Sequence, residues 1–386
     1  MAIELSNITF TEQDDIVPES GVEQILNTGI ANTFAGNDKI TGTGVDYGFK
    51  NVGTLDTDDG NDIITGTANY AGIGNSGTLI TGEGNDTITG NAYIYGIENY
   101  GTLNTEEGND IITGTGVYYG LNNYGTLNTG QGNDIITSIS TIPNYTYVPS
   151  MYNTGFIDTS DGDDIITSSS NTVSISNSGI INTGNGEDSI ICQGEFSNSG
   201  GVFLGDSNDL ISVNYSPYSY ILTNFTFIGA GDGDDTITSN GSILNYGVIE
   251  TGNGDDSIIV GLDIEGSTSV GGINNYGGLI NMGDGNDSII AYGGFGSAAN
   301  SSGAWFLGEG NDYIKGFGSG DFYGGNGNDT LELTPGTYTV GIWNTSATFT
   351  TDGVGLMITS EFEKLKAGST IYDFTSLTAG QIIIVA

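Results

Sequence analysis

The sequence predicts an all-β parallel β-solenoid of about 12–13 coils, closed by a small C-terminal β cap. Three observations predict it. A Gly-Asn-Asp string or close variant recurs every 24 residues or so. An aliphatic side chain stands two places after each of its aspartates. The segments between are four to six residues long, rich in Ile, Thr and Tyr and bounded by Gly, Asn and Asp.

The aspartate of each string serves as a ruler: Asp38, Asp62, Asp86, Asp110, Asp134, Asp164, Asp188, Asp209, Asp235, Asp256, Asp287, Asp312 and Asp329. The first four intervals are 24 residues each; the later ones run 30, 24, 21, 26, 21, 31, 25 and 17. The aliphatic residue runs from Ile40 to Leu331, and an asparagine precedes the aspartate by eleven places in the first ten units, from Asn27 to Asn245. Most of these asparagines open Asn-X-Gly-X-Leu/Ile-X-Thr, as in NYGTLNT from Asn99. Such a unit holds two short strands with inward apolar residues, glycine-rich turns and a more variable third stretch. Three short strands per period make one coil, which stacks only on its neighbours.

Residues 1–26 carry no repeat, and ELSNITF reads as a strand that caps the first coil or pairs with another subunit. Residues 27–332 are the repeats, with TIPNYTYVPS at 141–150 and GLDIEGSTSVGG at 261–272 as loops pushed out of the coil. After Asp329 the repeat stops. Residues 333–386 hold two of the five lysines and alternate like a small β-structure that covers the last coil, whose open strand edges otherwise invite aggregation. SEFEKLKAG at 360–368 is the best helical candidate.

Composition removes much chemistry. There is no His and no Arg, which excludes His-based triads, His-ligated zinc and haem His ligation. A formal charge of −42, from 47 acids against 5 lysines, argues against nucleic-acid partners. Cys192 is the only cysteine, so no intramolecular disulfide forms. The first twenty residues have neither a basic nor an apolar segment, so no cleavable signal peptide is expected. No run is apolar enough to span a membrane.

Stacking in register places one aspartate above another. At about 4.8 Å two unit charges repel by roughly 0.9 kcal/mol even in water, and over a dozen contacts this approaches the stability of a domain. Five lysines cannot offset it. A hard divalent cation can, and calcium, which takes six to eight oxygen ligands in irregular geometry, suits such turns better than magnesium.

TGEGNDTIT (81–89) and its copies resemble the calcium-binding nonapeptide GGXGXDXUX of the RTX, or hemolysin-type, repeat family, and GGNGNDTLE (324–332) matches it in full. Asp312, Asp321 and Asp329, nine and eight residues apart, are similar to the tandem nonapeptides of an RTX β-roll. The resemblance runs from about residue 27 to 332. It implies several Ca²⁺ ions held by turn carbonyls and by Asp38, Asp62, Asp86, Asp110, Asp134, Asp164, Asp188, Asp235, Asp256, Asp287, Asp312, Asp321 and Asp329. The unit at 198–212 lacks the glycine before Asn208, so Asp209 stays outside that set. The tail looks like the C-terminal region of RTX proteins exported by type I secretion, which implies a secreted, cell-surface protein with an uncleaved C-terminal signal.

The uniform repeats and the absence of any non-repetitive polar cluster favour a non-enzymatic structural protein of a bacterial surface or matrix: a sheath, surface-layer or filament subunit that self-associates. A polysaccharide-binding or polysaccharide-active β-helix is the alternative, with 141–150 and 213–225 as cleft walls. An ice-binding or adhesive module is a third reading, on the threonine columns Thr41, Thr65, Thr89, Thr113 and Thr137. Ice-binding RTX modules resemble GTGND, however, and here that threonine is replaced by Glu, Asp, Asn or Gln. The asparagine column reads as structural, its amides hydrogen-bonding along the stack, and the recurring tyrosines as aromatic packing.

Overall fold

Alternation within IITGTA sets the first strand of a coil, Ile63–Ala68: Ile64 points inward and is fully buried while Ile63, Thr65 and Thr67 face out. The chain bends into a second strand, Ala71–Asn75, and a third, Thr78–Ile80, before the next aspartate turn. Each strand pairs in parallel with its equivalents one period away, Ile64 with Ile40 and Ile88, Leu79 with Leu55 and Leu103. The chain is therefore an all-β parallel β-solenoid of about twelve turns, each near 24 residues.

The computed structural model describes residues 2–18, 23–142, 147–214, 222–261, 271–296, 303–351 and 354–386. Among these there is no α-helix, only single 3₁₀ turns at Leu5–Asn7 and Phe374–Ser376. The insertion expected at 261–272 and the expected cleft wall at 213–225 fall largely on 262–270 and 215–221, outside the described residues, and so do residues 143–146 of the insertion expected at 141–150. Two compact units divide the chain, one ending at Leu204 and one beginning at Gly205.

In the first unit three inward columns form the core: Ile64, Ile88 and Ile112; Ile73, Ile97 and Leu121; Leu79, Leu103 and Leu127, with their equivalents on either side. Each fully buried aliphatic contributes about 1.5–3 kcal/mol. Where the first and second strands converge there is no room for a side chain: a Cβ on Gly90 would lie 2.1 Å from the Gly96 carbonyl oxygen. The asparagines form a fourth buried column. Asn99 Nδ2 donates to Asn123 Oδ1 at 2.8 Å and to the Thr126 carbonyl at 2.9 Å, and Asn51, Asn75 and Asn153 repeat the pattern.

The amino-terminal segment pairs within the chain. Ala2–Glu4 runs parallel to Gln24–Asn27 and Ile16–Val17 to Lys39–Thr43, and Leu5 and Phe10 are buried. Tyrosines line the outside of the second strands. Tyr100 and Tyr124 stack at 4.6 Å, and Tyr47, Tyr70 and Tyr95 meet edge to face.

In the second unit Ile237, Ile243 and Ile249 are the buried inward residues of one coil. Phe295, Trp305 and Phe322 fill the interior near the short interval from Asp312 to Asp329. The repeat does not stop after Asp329. An antiparallel hairpin, Gly336–Trp343 with Ser346–Thr351, is inserted. Val354–Ser360 and Lys364–Ala367 then rejoin the solenoid in parallel beside Gly320–Gly327 and Thr330–Leu333. The helical candidate at 360–368 thus contains a strand, because KLKA alternates and places Leu365 in the inward column opposite Leu331. Ile382–Val385 closes antiparallel on Gly336–Trp343.

Candidate metal centre

Asp86 follows a turn in which Gly82 and Gly84 take positive φ, 87° and 145°, and its side chain folds inward to 1% exposure. Asp86 Oδ1 accepts the main-chain N–H of Asp62 at 2.7 Å, and the Asp86 N–H donates to Asp110 Oδ1 at 2.7 Å. The link repeats through the first unit from Asp38 to Asp188 at 2.7–2.8 Å. It repeats in the second unit from Asp209 to Asp329 at 2.8–2.9 Å. Each carboxylate therefore stitches its turn to the backbone of the preceding coil. The bare charge repulsion expected from stacked aspartates is thereby reduced, since an N–H dipole meets each Oδ1.

The second oxygen is different. Oδ2 of Asp38, Asp62, Asp86, Asp110, Asp134, Asp164, Asp235, Asp256, Asp287, Asp312 and Asp329 is buried and receives no hydrogen bond. The Thr57 hydroxyl lies near the Asp62 carboxylate and favours its charged form, yet gives its proton to the Thr81 carbonyl. Burial pushes the carboxyls of Asp62, Asp86, Asp164 and Asp235 up to about 7. It pushes Asp110, Asp188, Asp256 and Asp312 up to about 6, and Asp134 and Asp287 up to about 8. Asp38 and Asp329 are raised by the same cause. A buried, unpaired carboxylate costs several kcal/mol, and either a proton or a divalent cation relieves it.

Of the thirteen aspartates expected as ligands, twelve stand in this ladder. Asp321 does not: the short interval places it on the strand Gly320–Gly327, opposite Ala304 and half-buried. Three ladder members escape the sequence pattern. Asp209 is buried and linked to Asp235 although its turn lacks the glycine, because Ser207 itself adopts φ 103°. Asp15 donates its N–H to Asp38 Oδ1 at 2.7 Å, and Asp15-Ile16-Val17 repeats the Asp-X-aliphatic signal without any Gly-Asn. Glu363 Oε2 accepts the Asp329 N–H at 2.7 Å, and Glu363-Lys364-Leu365 carries the same signal with Glu for Asp.

Outside the ladder the exposed acids are interleaved with amides from the next coil. Asn182 donates to Asp158 at 2.8 Å, Asn185 to Asp161 at 2.7 Å and Asn253 to Asp232 at 2.6 Å. Glu106 is less well compensated: burial and the charges of Asp56, Glu83, Asp59 and Asp58 raise its carboxyl. Beside it an open groove of about 520 Å³ runs past Glu107, Gln131, Asp158, Asp161 and Asn185. Among the described residues no point is surrounded by three or more acidic side chains. The unsatisfied Oδ2 atoms of the ladder are hard oxygen donors of the type a divalent cation takes.

Fold and ladder define a class: a parallel β-solenoid with one buried carboxylate per coil. The chain is similar in fold to the crystal structure of a hyperactive, Ca²⁺-dependent, β-helical antifreeze protein from an Antarctic bacterium, at 19% identity and a TM-score of 0.50, over 96% of this chain and 93% of that one. No family model matches the chain and no curated protein matches it, so the likeness of its turns to RTX nonapeptides rests on the residues alone.

Proposed function

We propose that this chain is a calcium-loaded, non-enzymatic, extracellular β-solenoid that binds ice through the flat outer face of its first-strand sheet. One observation carries the reading. In the first unit no outward position on the first strands from Ile63 to Gln193 bears a charge, in a chain of net charge −42. Thr41, Thr65, Thr89, Thr113, Thr137 and Thr167 stand in one column, each paired directly with the next. Ile63, Ile111, Ile135 and Ile165 flank it on one side, Thr67 and Thr115 on the other. Parallel strands repeat these groups at about 4.8 Å, a regular array of methyls and hydroxyls of the kind that can order water.

The similar antifreeze fold supports this over the structural-subunit reading that the sequence favours. The route differs from a threonine-bearing turn, since Asp59, Glu83, Glu107 and Gln131 occupy the turn positions here. The polysaccharide reading gains little support: Tyr100 and Tyr124 stack on each other, which covers the ring faces a sugar would use. Among the described residues no helix is long and apolar enough to cross a membrane.

Calcium, when bound, supplies the positive charge that the buried ladder lacks. The ladder residues Asp62, Asp86, Asp110 and Asp134 and their equivalents would hold it, and their main-chain links keep the coils in register, so the face stays flat. Thermal hysteresis tests the reading. The chain in calcium is expected to depress the freezing point, Thr113→Lys to abolish the effect without lowering the melting temperature, and Glu107→Ala on the turn row to leave it intact. Absence of hysteresis in the folded, calcium-saturated chain, or its survival in Thr113→Lys, contradicts the assignment.

A further inference from the structure

We propose that the strand Ile382–Val385 is the docking edge for a second copy of this chain, the two strands pairing antiparallel, edge to edge. The strand pairs on one side with Gly336–Trp343, and among the described residues no strand pairs with its other edge. The Val340 N–H donates to the Gln381 carbonyl at 2.9 Å. Antiparallel alternation then turns Ile383 and Val385 toward the paired side and directs the N–H and C=O of Ile382 and Ile384 to the open edge. Those two side chains are 55% and 72% exposed, while Ile383 and Val385 are buried.

Edge strands of monomers are usually protected by lysine, proline, a bulge or shortness. QIIIVA has no charged side chain and no proline, and the one bulge, Gly380 and Gln381 opposite Val340, lies before Ile382 and leaves the register of Ile382–Val385 unbroken. Among the described residues the sheet face beside it also bears no charge, through Thr337, Thr339, Thr348, Thr350 and Leu356. Charge selects the occupant. Residues 333–386 carry four acids against two lysines, whereas the preceding residues carry forty-three against three. Two copies of a chain this acidic repel each other over most of their surface and least of all here. Pairing about a two-fold axis would set Ile382 opposite Ile384 of the second copy and bury both pairs across one seam. The inference stands apart from the calcium and ice readings.

Sedimentation velocity of the full chain in calcium, over a wide concentration range, tests it. The expected result is a monomer–dimer equilibrium that Ile384→Lys weakens by about tenfold or more. Its melting temperature should match the parent's, since Ile384 is exposed in the monomer. Ile371→Lys, at an equally exposed isoleucine on Thr370–Asp373, should leave the dimer unchanged. A monomer at every concentration overturns the proposal, as does a dimer indifferent to Ile384→Lys or weakened equally by Ile371→Lys. A monomer that instead sediments with phosphatidylcholine vesicles assigns the edge to a lipid surface and overturns it too.

Discussion

The main-chain N–H of Asp86 donates to Asp110 Oδ1 at 2.7 Å, while Asp110 Oδ2, equally buried, receives no hydrogen bond. Half of the Asp110 carboxylate is thus committed to holding coils together, and half is left for a proton or a cation, as at Asp62, Asp86 and Asp134. The first role is met by any carbonyl-type oxygen. The second is specific to a carboxylate.

Asp110→Asn separates the two roles. The amide oxygen can keep the link to Asp86, and the amide nitrogen removes the cation ligand. In calcium the variant should lose about 3 kcal/mol of stability, the scale for breaking one partner of a buried ionic contact. In chelator it should be as stable as the parent or more so, because a buried unpaired charge is gone. Thermal melts in both conditions check the change of sign.

The raised carboxyls set the pH dependence. A folded-state pKa of about 7 for Asp62 and Asp86, above the unfolded value, means that their contribution is fully present below about pH 4 and is lost progressively as pH rises to about 7. Without calcium, the melting temperature should therefore fall from pH 5 to pH 8. With saturating calcium the trend should reverse, since the ion requires the ionised form. A melting series in each buffer distinguishes the two.

Ser207 holds φ 103° where neighbouring turns have glycine. Ser207→Gly should stabilise the second unit by about 1 kcal/mol by releasing that strain. Gly84→Ala should act oppositely, because its Cβ would lie 1.6 Å from the Gly60 carbonyl oxygen, and a loss of about 3 kcal/mol or more is expected. Denaturant midpoints measure both.

Asn99→Ala removes an amide that donates to Asn123 Oδ1 and to the Thr126 carbonyl. Two buried acceptors lose their donor, so a cost of about 2–4 kcal/mol is expected, independent of calcium. Equal losses in calcium and in chelator would mark this column as structural, whereas a loss confined to calcium would not.

Much of the solenoid was legible because its period forces every level to agree. Ile64 buried, Thr65 facing outward and Asn75 stacked on Asn99 all follow from one 24-residue spacing. What escaped was whatever kept the geometry while changing the side chain. Glu363 replaces an aspartate, Asp15 lacks its Gly-Asn prefix, and Ser207 strains its backbone to stand in for glycine. Asp321 misled in the other direction, since nonapeptide spacing alone does not say whether a residue falls on a turn or a strand. The split roles of Oδ1 and Oδ2 were beyond reach of the sequence, because they depend on where one N–H of the neighbouring coil points.

Counting calcium bound to the folded chain by atomic emission, after gel filtration in about 1 mM calcium, tests the ladder as a metal centre. The parent should carry several ions, and Asp62→Asn/Asp86→Asn/Asp110→Asn should carry fewer while remaining folded. A folded parent that retains no calcium, or a triple variant that binds as much as the parent, would contradict the ladder's role and leave protons as what neutralises it.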